Sequence, residues 1–179
     1  MSFSDEQLMI DVSKGNVEAF EQIVVRYQRL AWRIAYRYIG NYSDAEEIAQ
    51  EAFLRILCSA KNYRPSAKFS TYLYKVLANL CLDHYRKKRP QLADEFPAFK
   101  ECTETPDSNL QIQERNQAIQ LAVESLPARQ RIAVILRYYE NLSYDQIAAA
   151  MDTSVKATER LLARARKKLE KLLEDFPKK

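Results

Sequence analysis

Residues 142–172 read LSYDQIAAAMDTSVKATERLLARARKKLEKL, and the rest of the chain is best understood outward from them. Ser143 with Gln146 three positions later forms a capping box, so a helix is expected to begin near Tyr144 and run through Ile147, Ala148 and Met151. Asp152, Thr153 and Ser154 favour turns and N-caps over helix interiors. A second helix follows, with Leu161, Leu162, Ala165, Leu169 and Leu172 recurring at helical spacing. Arg160, Arg164, Lys167 and Lys168 lie away from that stripe and share one side. A basic face taken alone reads as ordinary solvated surface. Joined to a capping box and a three-residue turn, it describes a helix-turn-helix whose second helix suits the major groove of DNA.

Bulk properties agree with a helical protein. The 179 residues hold only two glycines, Gly15 and Gly40, and show no strand-like alternation, so the expected fold is all-α, in two small helical domains. Residues 1–92 carry a net charge of +4, residues 93–112 carry −4, and residues 113–179 carry +4 again. Two basic lobes joined by an acidic connector suit two contacts with a polyanion. The division follows as 1–92, 93–112 as an extended linker containing Pro97 and Pro106, and 113–179.

Several classes are disfavoured. Cys58, Cys81 and Cys102 have no metal-ligand spacing and are odd in number; Cys58 and Cys81 are expected in the core, and Cys102 falls in the linker. A single histidine, His84, and two glycines leave neither a phosphate loop nor a metal cluster, so neither an enzyme nor a cofactor is expected. No stretch approaches the roughly 18 apolar residues of a membrane span, and the protein is expected in the cytoplasm.

Along the chain, Ser4 and Gln7 open a short helix stopping at Gly15. Asn16 caps a long one whose apolar positions run from Phe20 to Tyr38, ended by Gly40 and Asn41. Ser43 and Glu46 form a further capping box for the helix DAEEIAQEAFLRIL. There Ile48, Ala49, Ala52, Phe53 and Ile56 point inward and Asp44, Glu47, Gln50 and Glu51 outward, either as a solvated acidic face or as a docking face. Pro65 keeps Tyr63 to Lys68 as a loop before a helix from about Ser70 that buries Leu73, Val76, Leu77 and Leu80. Tyr72, Lys75, Asn79 and Arg86 are left for its surface. Rings interleaved with bases suit single-stranded nucleic acid, and equally suit half-buried packing with a favourable charge at a helix end.

These stretches, in this order, resemble a bacterial extracytoplasmic-function (group 4) sigma factor of the sigma-70 family. The resemblance rests on DAEEIAQEAF (44–53), FSTYLYKVLANLCLDHYRKKR (69–89), and LPARQRIAVILRYYENLSYDQIAAAM (126–151) followed by RARKKL (164–169), and it covers nearly the whole chain. It implies a dissociable subunit that binds core RNA polymerase through its β and β′ subunits, recognises two promoter elements and nucleates DNA melting. Residue by residue, Asp44, Glu47, Gln50 and Glu51 would dock on the polymerase. Tyr63, Arg64, Ser66, Lys68, Phe69, Tyr72, Lys75, Asn79 and Arg86 would bind and melt the −10 element around a flipped base. Lys156, Thr158, Glu159, Arg160, Ala163, Arg164, Lys167 and Lys168 would read the −35 element. The resemblance also implies an anti-sigma factor as partner and a monomer when free. Tyr72 stands where many relatives carry tryptophan, which keeps a stacking ring. Glu159 stands where some carry a base, so the target sequence cannot be borrowed. The alternatives are a stand-alone helix-turn-helix regulator, which leaves the melting segment without a purpose, and a sigma-like decoy for an anti-sigma factor, which leaves the basic residues without one.

Overall fold

The computed structural model describes residues 3–65, 67–88 and 110–174, and every regular element among them is helical. The first lobe holds α1 (Asp5–Ser13), α2 (Val17–Ile39), α3 (Tyr42–Ser59), a 3-10 turn (Ala60–Asn62) and α4 (Phe69–Lys88). The second holds α5 (Leu110–Glu124), α6 (Ala128–Tyr138), α7 (Tyr144–Ala150) and α8 (Val155–Leu172). None of the described helices is long and apolar enough to cross a membrane. Ser66, Arg89 and most of the 93–112 connector, with Cys102, lie outside the described residues. Helix α5 already begins at Leu110, inside the expected linker.

Local chemistry sets the helix ends. Ser4 accepts from Gln7 N, Asn16 from Ala19 N and Ser154 from Ala157 N, each satisfying an orphan donor of a first turn. At α7 the full capping box forms: Ser143 Oγ accepts from Gln146 N at 3.2 Å, and Ser143 N donates to Gln146 Oε1 at 2.8 Å. At α3 the expectation fails, because the cap is Asn41, whose Oδ1 accepts from Asp44 N, and the helix starts at Tyr42. Asparagine two residues earlier takes the cap because the chain leaves α2 through Gly40 in the left-handed region, at φ 76°. Such a conformation strains any residue with a Cβ.

Helices α1 to α4 bury Leu8, Met9, Ile23, Ile34, Tyr38, Ile56, Phe69, Leu73 and Leu77 almost completely. Helices α6 to α8 bury Ile132, Ile135, Leu136, Ile147 and Leu162. Each large aliphatic side chain so removed from water contributes about 1.5–3 kcal/mol. Of the two described cysteines, Cys81 is fully buried, but Cys58 is exposed, contrary to expectation. It sits on the solvent side of α3, past the inward row of Ala49, Ala52, Phe53 and Ile56. The lobes are in contact: α6 lies against α2 and α4, and α7 against α4.

Candidate nucleic-acid and polymerase interfaces

Three surfaces carry the expected site residues. The first is the helix-turn-helix. Met151 to Ser154 turn the chain between α7 and α8, with Asp152 in the left-handed region at φ 51°. Ile147, Ala148, Leu162 and Ala165 fill the angle between the two helices. That packing leaves Lys156, Glu159, Arg160, Ala163, Arg164, Lys167 and Lys168 exposed along α8, spaced so that they form one broad face. Lys168 also donates to the Ser125 carbonyl at 2.7 Å, which ties the end of that face to the turn before α6. Thr158 departs from expectation. It is completely buried and its Oγ1 donates to the Ser154 carbonyl at 3.2 Å, so it holds the turn and does not face a groove.

The second surface is the outer row of α4 with the loop before it. Tyr72, Lys75, Asn79 and Arg86 recur at three, four and seven residues and therefore lie on one side. Asn79 and Arg86 are exposed; Tyr72 and Lys75 are half-buried. The Tyr72 hydroxyl is 2.6 Å from Ser59 Oγ, and its ring lies 5.7 Å from that of Tyr63. Arg64 and Lys68 are exposed beside them. Lys75 reaches Asp152 of the helix-turn-helix at 3.6 Å. Phe69, by contrast, is wholly buried, edge-on to Tyr27 at 5.1 Å, because it opens α4 on the inward side. Phe69 thus supports the surface from beneath.

A cleft of about 490 Å³ opens at the foot of this surface, lined by Ser4, Asp5, Glu6, Arg26, Pro65, Ala67 and Lys68. Glu6 Oε1 accepts from Phe69 N at 3.0 Å, and that bond first of all holds the Glu6 carboxyl below its ordinary value. Asp5 is fixed by Arg26 at 2.7 Å and by the Tyr27 hydroxyl. Burial, then the nearby acids, push the Tyr63 hydroxyl upward, so it stays a neutral donor. The α1 residues and Arg26 were missed by sequence reasoning. Nothing local in SDE announces a cleft; it exists because α1 folds back on the segment before α4.

The third surface is α3. Glu47 and Gln50 are exposed, and Glu51 is half-buried and paired with Arg55 at 2.7 Å. Asp44 does not belong with them: its carboxylate turns toward α4 and lies 3.6 Å from His84 Nε2, with 19% of the side chain exposed. Leu54 is 56% exposed and continues the row of Glu47 and Gln50 at the next helical spacing. It was legible in principle, since the inward residues of α3 leave it unpartnered.

Comparisons with known proteins match this arrangement. The family model described as Sigma-70 region 2 matches residues 23–91, and that described as Sigma-70, region 4 matches residues 116–169. The chain is 32% identical over 176 residues to the ECF RNA polymerase sigma factor SigW of Bacillus subtilis (strain 168), covering 92% of this chain and 94% of that protein. It is 30% identical over 179 residues to the ECF RNA polymerase sigma-E factor of Escherichia coli (strain K12), covering 93% of each. Its fold is similar to that of CnrH solved in complex with the cytosolic domain of CnrY, at a TM-score of 0.72 and 24% identity over 97% of this chain and 99% of that one. The chain accordingly belongs to the extracytoplasmic-function sigma factors of the sigma-70 family, which act in transcription initiation.

Proposed function

We propose that this sigma factor, of the group 4 type, binds core RNA polymerase, reads −10 and −35 promoter elements and nucleates DNA melting in the cytoplasm, with no covalent catalysis of its own. The observation that carries this reading is the pairing of a capped helix-turn-helix, basic along its exposed face, with the outer row of α4 beside a cleft. Duplex binding alone would need only the first. Residues 1–92 form the unit for polymerase docking and the −10 element, the helices from α5 onward the unit for the −35 element, and the stretch from 93 to the start of α5 the connector.

Each role follows from chemistry on the surface. Glu47, Gln50 and Glu51 present an acidic edge and Leu54 an apolar centre to the β′ subunit of the polymerase. Arg160 and Arg164 suit guanine edges, Glu159 suits the amino group of cytosine, and Lys156, Lys167 and Lys168 suit phosphates. Extracting a base from the stack costs a few kcal/mol, and stacking on Tyr63 or Tyr72 with hydrogen bonds from Asn79 offsets it. Acids in the cleft, Asp5 and Glu6, favour a base with an exocyclic amino group, cytosine, adenine or guanine, over thymine. An anti-sigma factor is the proposed regulatory partner, and the free chain is taken as a monomer. The reading is supported by solved structures of similar fold, among them the sigma factor RpoE in complex with the anti-sigma factor NepR from Bartonella quintana.

The test is gel-filtration co-elution with bacterial core RNA polymerase, followed by run-off transcription from a promoter library. Co-elution with specific transcripts is the expected result, weakened by Glu47→Lys with Gln50→Lys. Tight binding to duplex DNA without any binding to core would make the protein a conventional regulator instead. Binding to neither would favour a decoy.

A further inference from the structure

Helix α4 begins on residues that cannot cap it. Its first residue is Phe69, and the two before it, Ala67 and Lys68, carry no side-chain acceptor. The amides of Thr71 and Tyr72 turn back to the Lys68 carbonyl, at 3.0 and 3.4 Å. The Phe69 amide, an orphan donor of the first turn, donates instead to Glu6 Oε1 of α1, 63 residues earlier in the chain. A carboxylate at that point satisfies the donor and also faces the positive end of the α4 dipole. Glu6 is itself held in place. Ser4 caps α1 by accepting from Gln7 N, and Asp5 ties its first turn to α2 through Arg26 and the Tyr27 hydroxyl. Leu8, Met9 and Val12 are buried on the inward side of α1. Helix α1 packs against α2, the 3-10 turn Ala60–Asn62 and α4, the last two of which bracket residues 63–68.

We infer that Glu6 is a positioning residue for promoter melting: through the Phe69 amide it fixes the chain entering α4, and so the placement of Tyr63, Lys68 and Tyr72 around an extruded base. The inference rests on the melting function proposed above. Phe69 is wholly buried, so its amide cannot exchange Glu6 for water unless the first turn of α4 opens. Tyr72 belongs to that turn. Its ring stands 5.7 Å from that of Tyr63 and its hydroxyl 2.6 Å from Ser59 Oγ, and both relations are lost when the turn frays. A stacking platform built from two rings works only while the rings keep their spacing. Glu6 lies in neither the α3 row assigned to the polymerase nor the basic face of α8. Core binding and upstream-element recognition therefore do not depend on it.

The experiment compares full-length Glu6→Ala and Glu6→Gln with the natural chain. Amide hydrogen exchange is read in the free protein, and permanganate reactivity in the complex with core RNA polymerase. Four promoters are used that differ only at the extruded base. Glu6→Ala should speed exchange of the Phe69 amide and lower opening, each by on the order of tenfold, the scale of one hydrogen bond to a charged group. Opening should fall on all four promoters, thymine included, while co-elution with core is unchanged. Glu6→Gln keeps an acceptor oxygen and should recover most of both losses. Unchanged exchange at Phe69 in Glu6→Ala would overturn the cap, and faster exchange with normal opening would overturn its part in melting. Loss confined to bases with an exocyclic amino group, with thymine opened as before, would make Glu6 a base contact instead. Faster exchange throughout the first lobe would reduce Glu6 to a stability residue and overturn the assignment. A natural chain that opens no promoter would sink the melting function, and the positioning role with it, while exchange still decides whether Glu6 holds Phe69.

Discussion

Phe69 offers the sharpest test, because sequence and structure assign it different work. Its ring is wholly buried beneath the α4 surface, against Tyr27 at 5.1 Å and Tyr72 at 6.4 Å. Phe69→Ala removes that ring and leaves a cavity, which costs about 3–5 kcal/mol. For a chain of this size each kcal/mol lowers the melting temperature by about 2–4 °C, so a fall of roughly 6–20 °C is expected. Phe69→Leu keeps most of the apolar volume and should cost about 1.5 kcal/mol or less. The assay pairs thermal melting by circular dichroism with permanganate reactivity of the promoter, read well below both melting temperatures. Under those conditions Phe69→Leu should open the promoter almost as the natural chain does. If instead it stays fully stable and loses opening, the ring touches DNA and the buried assignment is wrong. A Phe69→Ala protein that melts normally would be equally damaging.

Arg164→Ala removes an exposed side chain from the face of α8, so stability should hold while upstream-element discrimination weakens by about 1–3 kcal/mol at one base position; uniform loss on every sequence would make Arg164 a phosphate contact. Asn79→Ala should leave melting temperature and closed-complex binding unchanged and reduce permanganate reactivity at the start site; normal reactivity would remove Asn79 from the melting surface. Brief iodoacetamide treatment at pH 8 should label Cys58 and spare Cys81, since burial raises the Cys81 thiol to about 12 and keeps it protonated. Equal labelling of both in folded protein would contradict that burial.

The helix-turn-helix was legible because its information is local. A cap, a turn and a period of three to four residues are each written within a few positions, and α7 and α8 follow them. The same is true of the long α2 and of the exposed basic face of α8. Where residues one turn apart looked equivalent, the sequence could not rank them. Thr158 and Asp44 are polar and sit in polar rows, yet the first is sealed beneath the turn and the second faces His84 across from α4. Phe69 opens a helix with the look of an exposed ring, and only the fold of α1 and α2 over it shows that it is covered.

What the sequence determined by itself is therefore the set of helices, their order and the charge each displays, because these depend on neighbours within about four residues. Tertiary structure alone decided which polar groups are spent on holding the chain. The cleft is closed by the bond from Phe69 N to Glu6, and the contact between the lobes by Arg33 on Glu140, over separations of 63 and 107 residues. No local pattern encodes such meetings. They are fixed by which apolar faces pack together, and the polar side chains carried along with those faces take the partners they then find.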